Sequence, residues 1–534
     1  MGHYPRRGAA LGTPTEPSVK VVGIPAPVGG INAVDPVAGV PPQYCLSATN
    51  LLADGRLMKA RPGYQAHATS VGNGNGVRTI MPFEAAASAS NKLFAACREG
   101  IYDITSGGAI GAASISLSNG TNTGFGVWTN FVLDNGAHYL FYADPTDGLY
   151  QYPSGGPWVA TTGITGVTET DLCFVMQHKG RLWFAEKNSA RGWYLAAGAV
   201  AGAATRFDFG NKFNHGGTLV GLYSWTVDGG AGMDDHLVAI SSAGDVMVYK
   251  GTDPSSASTW GLVGQYYVGA LPAGYRVAQP QGGDLYILSQ YGVIPLTRLM
   301  RGTVVQNQEA SLSRNITPLI ADTMANTRQS FGWEMRNVPS ANCFLVATPE
   351  VSGQSELQYC LSTRTDGWTV WNDVPYLSGD VYLGNFYFGD DTDTVWKLTG
   401  NVDGADAAGA NGVDIAWGLL TAYNEYGETG HQHRGLFVRV VLQAASVPGI
   451  ATAVRYDYDM SVPPSASGAD PVSGAIWDTA VWDGANWGSL VATYTRTFGA
   501  SGLGRAMAVA IGGQANSETG LVRVDLMFDT GGPL

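Results

Sequence analysis

Charge is what this sequence has least of. Only 14% of its residues are charged, and basic ones are the minority: 30 Lys and Arg against 43 Asp and Glu, a formal net charge of −13. Gripping a phosphate backbone needs cations that displace its counterions, so this balance argues against a nucleic-acid-binding surface. It suits a wall past which nucleic acid slides without sticking. Long apolar runs are also missing, since none reaches the roughly 18 residues of a membrane-spanning helix. The opening MGHYPRRGAALGTPTEPSVK has basic residues but no apolar core, so nothing marks the chain as secreted or membrane-spanning. Cysteine is sparse: Cys45, Cys97, Cys173, Cys343 and Cys360 sit in apolar text without a CxxC spacing. An odd number weighs against a disulfide framework, and plain core thiols are expected. Helical periodicity is nearly absent, as are a P-loop, a Gly-x-Ser-x-Gly elbow and a zincin helix. No catalytic residue, cofactor site or metal site is therefore assigned, and the chain is read as a non-enzyme.

What is present is turn and strand. The 534 residues include 73 Gly and 26 Pro, and 45% are hydrophobic, with Val, Tyr, Trp and Phe grouped in short runs. That composition indicates an all-β protein of two or three domains. One sentence recurs: an apolar run, a turn usually ending in Gly, and a second apolar run. It is clearest in GDLYILSQYGVIPLT (Gly283 to Thr297), and returns at Asn91 to Thr105, His138 to Pro153 and Asp235 to Gly251. Looser copies start at Gly180, Cys343 and Gly384. Each reads as an antiparallel hairpin with a buried face. Their spacing, near the roughly 40 to 50 residues of a blade repeat, predicts a β-propeller of five to seven blades over residues 75–400. Strands from both chain ends could complete a blade, and the scattered Trp residues are read as packing between blades.

Around this array, residues 1–18 read as a flexible arm and 19–74 as an extended N-terminal segment ending in a hairpin at Asp54-Gly55. Asn401 to Gly412 (NVDGADAAGANG) is a composition break taken as a domain boundary. Six longer strands then fill 413–534 and predict a C-terminal β-sandwich-like domain. In one of them Arg455, Asp457 and Asp459 alternate with Val454, Tyr456 and Tyr458.

Four clusters invite a chemical reading. Asp390, Asp391 and Asp393 in GDDTDT could hold calcium, yet the closing Glu of an EF-hand loop is missing, and a solvated hairpin turn is the plainer reading. His431 and His433 lie two apart, on one side of a strand, without a third ligand at suitable spacing. STRTDGWTVW, set against the Ser-x-Asp-x-Gly-x-Thr-Trp turn of sialidase-like propellers, has Thr365 in the Asp place and Val370 in the Trp place, and reads as a structural turn. Trp477, Trp482 and Trp487 recur every five residues, either as consecutive turns packed under a sheet or as a carbohydrate-stacking platform. Carboxylate pairs for glycan cleavage have no fixed sequence spacing.

The most specific text is PAPVGGINAVDPVAGVPPQYCLSATNLLADGRLMKARPGY. Gly29, Gly30, Ile31 and Asn32, then Pro41 and Asn50, then Gly55 and Arg56 leading to Arg61, Pro62 and Gly63, resemble the opening of tail nozzle proteins of short-tailed bacteriophages, the tail tubular protein B family. It departs from that pattern at Val34-Asp35-Pro36. The resemblance implies a propeller-containing structural subunit of a hexameric ring below the tail adaptor. It implies contacts with the adaptor and other tail proteins, transient passage of viral DNA without specific binding, and residence in the virion after synthesis in the host cytoplasm. The alternative from another class is a carbohydrate-binding or glycan-cleaving propeller acting on the host surface. A cellular propeller scaffold is disfavoured by the lack of Trp-Asp blade endings.

Overall fold

In the computed structural model the recurrent hairpins become the second and third strands of seven antiparallel blades. The structure describes residues 19–228, 233–301, 310–351, 356–427, 429–468 and 491–533. Lys92–Ala96 with Gly100–Asp103, His138–Asp144 with Gly148–Pro153, and Asp284–Ser289 with Gly292–Pro295 are three of these pairs. The protein is all-β. Each sheet begins with an inner strand, in order Thr79–Phe83, Val127–Val132, Leu172–His178, Leu219–Asp228, Ala278–Gln281, Glu334–Val338 and Ser378–Tyr382. Each inner strand packs against the next and the last against the first, so the sheets close a seven-bladed ring. Tyr64–Thr69 pairs with Val395–Leu398 and completes blade 7 from the N-terminal side of the chain.

Aromatic side chains fill the wedges between blades. Trp183 of blade 3 stacks on Trp260 of blade 4 with centroids 6.0 Å apart, and Tyr249 stacks on Trp260 at 5.8 Å. All five cysteines are buried and unpaired, and burial pushes the Cys173 thiol up to about 11. A buried Asp recurs as a pin at the turn between middle strands. Asp144 accepts the Gly124 N–H at 2.8 Å and Asp245 the His215 N–H at 2.7 Å, each tying its turn to the loop that enters the inner strand. Buried carboxylates hold such loops because they satisfy donors that have no strand partner.

Outside the ring lies a two-layer sandwich. Its first layer continues blade 6: Trp368–Trp371 pairs in parallel with Cys45–Thr49, followed by Val413–Thr421, Met507–Ala515 and Gly449–Tyr456. His431–Ala444 centres the second layer, between Thr519–Pro533 on one side and Ala492–Gly499 on the other. Leu419, Val440, Leu442, Val509, Val524 and Leu526 fill the space between the layers.

Residues 19–74 are spread over several sheets: Val19–Pro25 and the Leu51–Asp54/Leu57–Ala60 hairpin pair with Thr519–Pro533, while Tyr64–Thr69 belongs to blade 7. Apolar edge residues such as Ile24, Leu51 and Met58 find a core only there. The stretch 401–412 links the last strand of blade 7 to the sandwich strand Val413–Thr421 and holds the short strand Val402–Asp403, which pairs with the start of that strand. Alternation after Val454 stops at Tyr456, because Asp457 and Tyr458 turn at φ 49° and 70°. The 1–18 segment and Trp477, Trp482 and Trp487 lie outside the described residues.

Candidate functional site

Residues of the Gly29 to Gly63 motif, far apart in the chain, meet blade 6 in one buried clasp. Gly30 has φ +77°, and a Cβ there would stand 2.4 Å from both N and O of Trp368, so only glycine lets the backbone approach this closely. Ile31 N–H donates to Trp368 O at 2.8 Å, and Gly29 N–H to Gln43 O at 2.9 Å. Asn32 folds on itself, its Oδ1 accepting from the N–H groups of Val34 and Asp35 at 3.1 Å. Asn50, at φ 54°, gives Nδ2 to Asn372 Oδ1 at 2.7 Å and to Ala416 O at 2.8 Å. Arg61 has a side chain with no exposed surface and forms a two-pronged pair with Asp403 at 2.7 and 2.6 Å. Pro62 O accepts from Arg61 Nη1 at 3.2 Å, and a Cβ on Gly63 would stand 2.0 Å from Val402 O. Gly55 and Arg56 stand apart from the clasp: they form an exposed turn, Gly55 at φ +64°.

A second polar centre, which sequence reading missed, sits on the propeller axis. Arg276, just before the inner strand of blade 5, donates to Gly126 O at 2.8 and 3.0 Å, Arg78 O at 2.9 Å, Ser378 Oγ at 3.2 Å and Glu334 Oε1 at 3.0 Å, and also to Thr79 Oγ1. These partners begin the inner strands of blades 1, 2, 6 and 7, so one guanidinium draws the strand starts together across the axis. Glu334 is fully buried and also meets Arg336 at 2.9 Å, Tyr376 Oη at 2.9 Å and the Gly379 N–H at 3.1 Å. Burial pushes the Asp380 carboxyl up to about 6, with Arg336 pulling the other way. Past this plug lies a cavity of about 370 Å³, lined in part by Trp128, Phe174, Gln177, Gln279, Arg336 and Asp380. A larger groove of about 810 Å³ runs along the helix Thr317–Thr327, between Val34, Tyr291, Arg314 and Arg328. The available signal for the axis was a charge embedded in apolar strand text, as in WEMRNV and SGDVY.

The other sequence candidates are dispersed. Asp390 is consumed locally, accepting the Thr392 and Thr394 N–H groups at 3.0 and 2.9 Å and Trp396 Nε1 at 3.0 Å. Asp391 instead approaches Glu350 and Glu356 of blade 6. His431 meets Gly531 O at 3.0 Å, while His433 is buried against Phe528 with centroids 5.2 Å apart. Thr363 to Gly367 form the turn between two strands of blade 6. Glu334 is held by two guanidiniums and closed to solvent.

No family model and no curated protein matches the chain. Among solved structures it is similar to the extracellular domain of a hybrid two component system from B. thetaiotaomicron, with 12% identity and TM-score 0.41 over 77% of this chain and 46% of that one. BamB from Moraxella catarrhalis follows at 10% and 0.31, covering 58% of this chain and 79% of that one. The CNH domain of AfRom2 gives 11% and 0.29, over 54% of this chain and 89% of that one. The first match spans less than half of its counterpart. At this level the likenesses carry no functional argument. Among the described residues, no helix is long and apolar enough to cross a membrane.

Proposed function

We propose that the chain is a structural subunit of a short-tailed bacteriophage tail, forming a six-fold nozzle ring through which the genome leaves the virion. The observation that carries this reading is the clasp: Gly30, Asn50, Arg61 and Gly63, four of the residues behind the family resemblance, join sandwich to propeller, while Gly55 and Arg56 form an exposed turn beside it. Sealing of the propeller axis by Arg276 adds a geometric condition. With that axis filled, a conduit built from this chain runs between subunits in the proposed ring and not through one propeller. The net charge of −13 suits a wall that DNA passes without binding. Electron microscopy of the purified chain, alone and with its tail adaptor, tests this. Closed six-fold rings support it, and a strictly monomeric particle in solution and in virions rejects it.

One observation favours a second reading, a glycan-binding propeller. The axial cavity of about 370 Å³ combines the Trp128 and Phe174 rings with the amides of Gln177 and Gln279, a mixture suited to sugar faces and hydroxyls. A glycan array with wild type and Trp128→Ala separates the two, because a ring subunit has no cavity-dependent glycan signal.

A further inference from the structure

Three carboxylates from two blades converge on the face of the propeller where the inner strands begin. Glu350 and Glu356 flank the turn between the middle strands of blade 6, and Asp391 lies in the corresponding turn of blade 7. One oxygen from each falls within 4.8 Å of the others. Such a cluster alone is unremarkable on an acidic protein. A separate observation gives it direction: Gln358 is fully buried and its Oε1 has no hydrogen-bond partner, while its Nε2 is spent on Val374 O at 3.2 Å. Gln358, the first residue of its strand, pairs with Ala347, and Thr348 with Leu357 continues that pairing by one residue towards Glu356. Glu356 leans on the backbone of Tyr376, two residues from the Val374 carbonyl that holds Gln358. The buried amide of Gln358 and the Glu356 carboxylate thus reach the same short segment, Val374 to Tyr376.

We infer that Glu350, Glu356 and Asp391, backed by the amide oxygen of Gln358, bind a hard divalent cation of the calcium class and so tie blade 6 to blade 7. Oxygen-only donors of mixed carboxylate and amide type match that ion, and exclude the softer metals that prefer imidazole or thiolate. Burial and then the neighbouring Asp391 raise both glutamates, Glu356 up to about 7, as crowding of acids does. Arg78 is the cation whose charge pulls Glu350 the other way. Asp390 stays with its own turn, and Asp393 has its side chain on Thr394.

Calorimetric titration of CaCl₂ into the chelator-stripped full chain tests the site. Wild type is expected to bind one equivalent with a Kd of about 10⁻⁴ to 10⁻³ M, the range of surface calcium modules. Asp391→Asn should weaken binding at least tenfold, while Asp393→Asn in the same turn should leave it unchanged. Should Asp391→Asn fail to give a native circular dichroism spectrum, Glu350→Gln provides the same readout from another exposed position. The inference is overturned by the lack of a saturable calcium isotherm in wild type, by unchanged affinity in the cluster variant, or by equal losses in both aspartate variants.

Discussion

Arg61 donates its Nε to Oδ1 of Asn50 at 3.0 Å, and the same oxygen accepts the Asn372 N–H at 2.9 Å. One amide side chain therefore couples the N-terminal segment to the end of blade 6, while the guanidinium carries the link on to Asp403. Removing Arg61 leaves the largely buried Asp403 carboxylate without its cation and takes one of two donors from the Asn50 carbonyl. Breaking such a buried pair costs about 3–5 kcal/mol, so Arg61→Ala should lower the urea midpoint sharply. Arg56→Ala, at the exposed turn of the same motif, should stay within about 0.5 kcal/mol of wild type. Equal effects would mean that the clasp does not join the two parts.

Gly30→Ala adds one carbon where there is no room. A Cβ at φ +77° collides with backbone atoms of Trp368, which cannot swing aside as a side chain would. Strain of about 1–2 kcal/mol from the left-handed backbone adds to the cost of displacing the segment. The expected result is a loss of more than 2 kcal/mol in total, measured by chemical denaturation, with fluorescence of the buried Trp368 shifted to the red. Gly55→Ala serves as control: its φ is also positive, but nothing lies within 4 Å of its Cβ, so only the backbone term applies.

Much of the fold was legible because propeller hairpins repeat a local pattern. An apolar run, a Gly turn and a second run mark the middle strands of a blade whatever its neighbours are. Inner strands were harder to see, since a single charge such as Arg336 or Asp380 breaks their apolar text for reasons visible only across the axis. Weaving of Val19–Pro25 against Thr519–Pro533 was likewise hidden, because a strand carries no mark of a partner about 500 residues away. The Gly29 to Gly63 motif stood out as text, yet only the contact of Gly30 with Trp368 and of Arg61 with Asp403 explains its letters. For the acidic site, Asp391 was noticed, but its companions Glu350 and Glu356 come from another blade and have no fixed offset.

Arg276→Ala tests whether the axis is held by one side chain. The change leaves Glu334 with Arg336 alone and frees the carbonyls of Gly126 and Arg78, so a loss of about 3–5 kcal/mol is expected. In a double-mutant cycle with Glu334→Gln the two losses should be non-additive by more than about 1 kcal/mol, because both substitutions act on one network. Additive losses would indicate two independent sites.

Asp380 predicts a pH effect of definite sign. Its folded pKa, about 6, is above the ordinary value of 3.8, so the folded state binds more protons between those limits and loses stability as pH rises through 6. Its side chain keeps 21% of its surface exposed, which reduces the cost of ionisation to about 1–2 kcal/mol. Asp380→Asn should therefore be more stable than wild type at pH 8 and indistinguishable from it at pH 4. A variant weaker at pH 8 would show that the contact with Arg336, at 3.5 Å, outweighs burial.

His178 works in the opposite sense. It is 3% exposed, with Nδ1 on Ser224 Oγ at 2.9 Å and Nε2 without a partner, and burial followed by the charge of Lys179 lowers its pKa to about 4. Asp235 and His236 also face it, one raising and one lowering the value. Above pH 6.5 the ring is neutral in both folded and unfolded chains and its contribution is fully present. As pH falls from 6.5 to 4 the unfolded chain takes up a proton that the folded chain refuses, which removes about 3 kcal/mol by the end of that window. Wild type alone cannot display this, because Asp380 and Glu356 titrate with the contrary sign over nearby pH. The decisive quantity is the difference between wild type and His178→Gln in urea unfolding at pH 7.5 and pH 4.5: glutamine keeps a partner for Ser224 and has no charge to acquire. Destabilisation of the variant relative to wild type at pH 7.5 should shrink or reverse at pH 4.5, and a difference independent of pH would mean that the folded chain admits the proton.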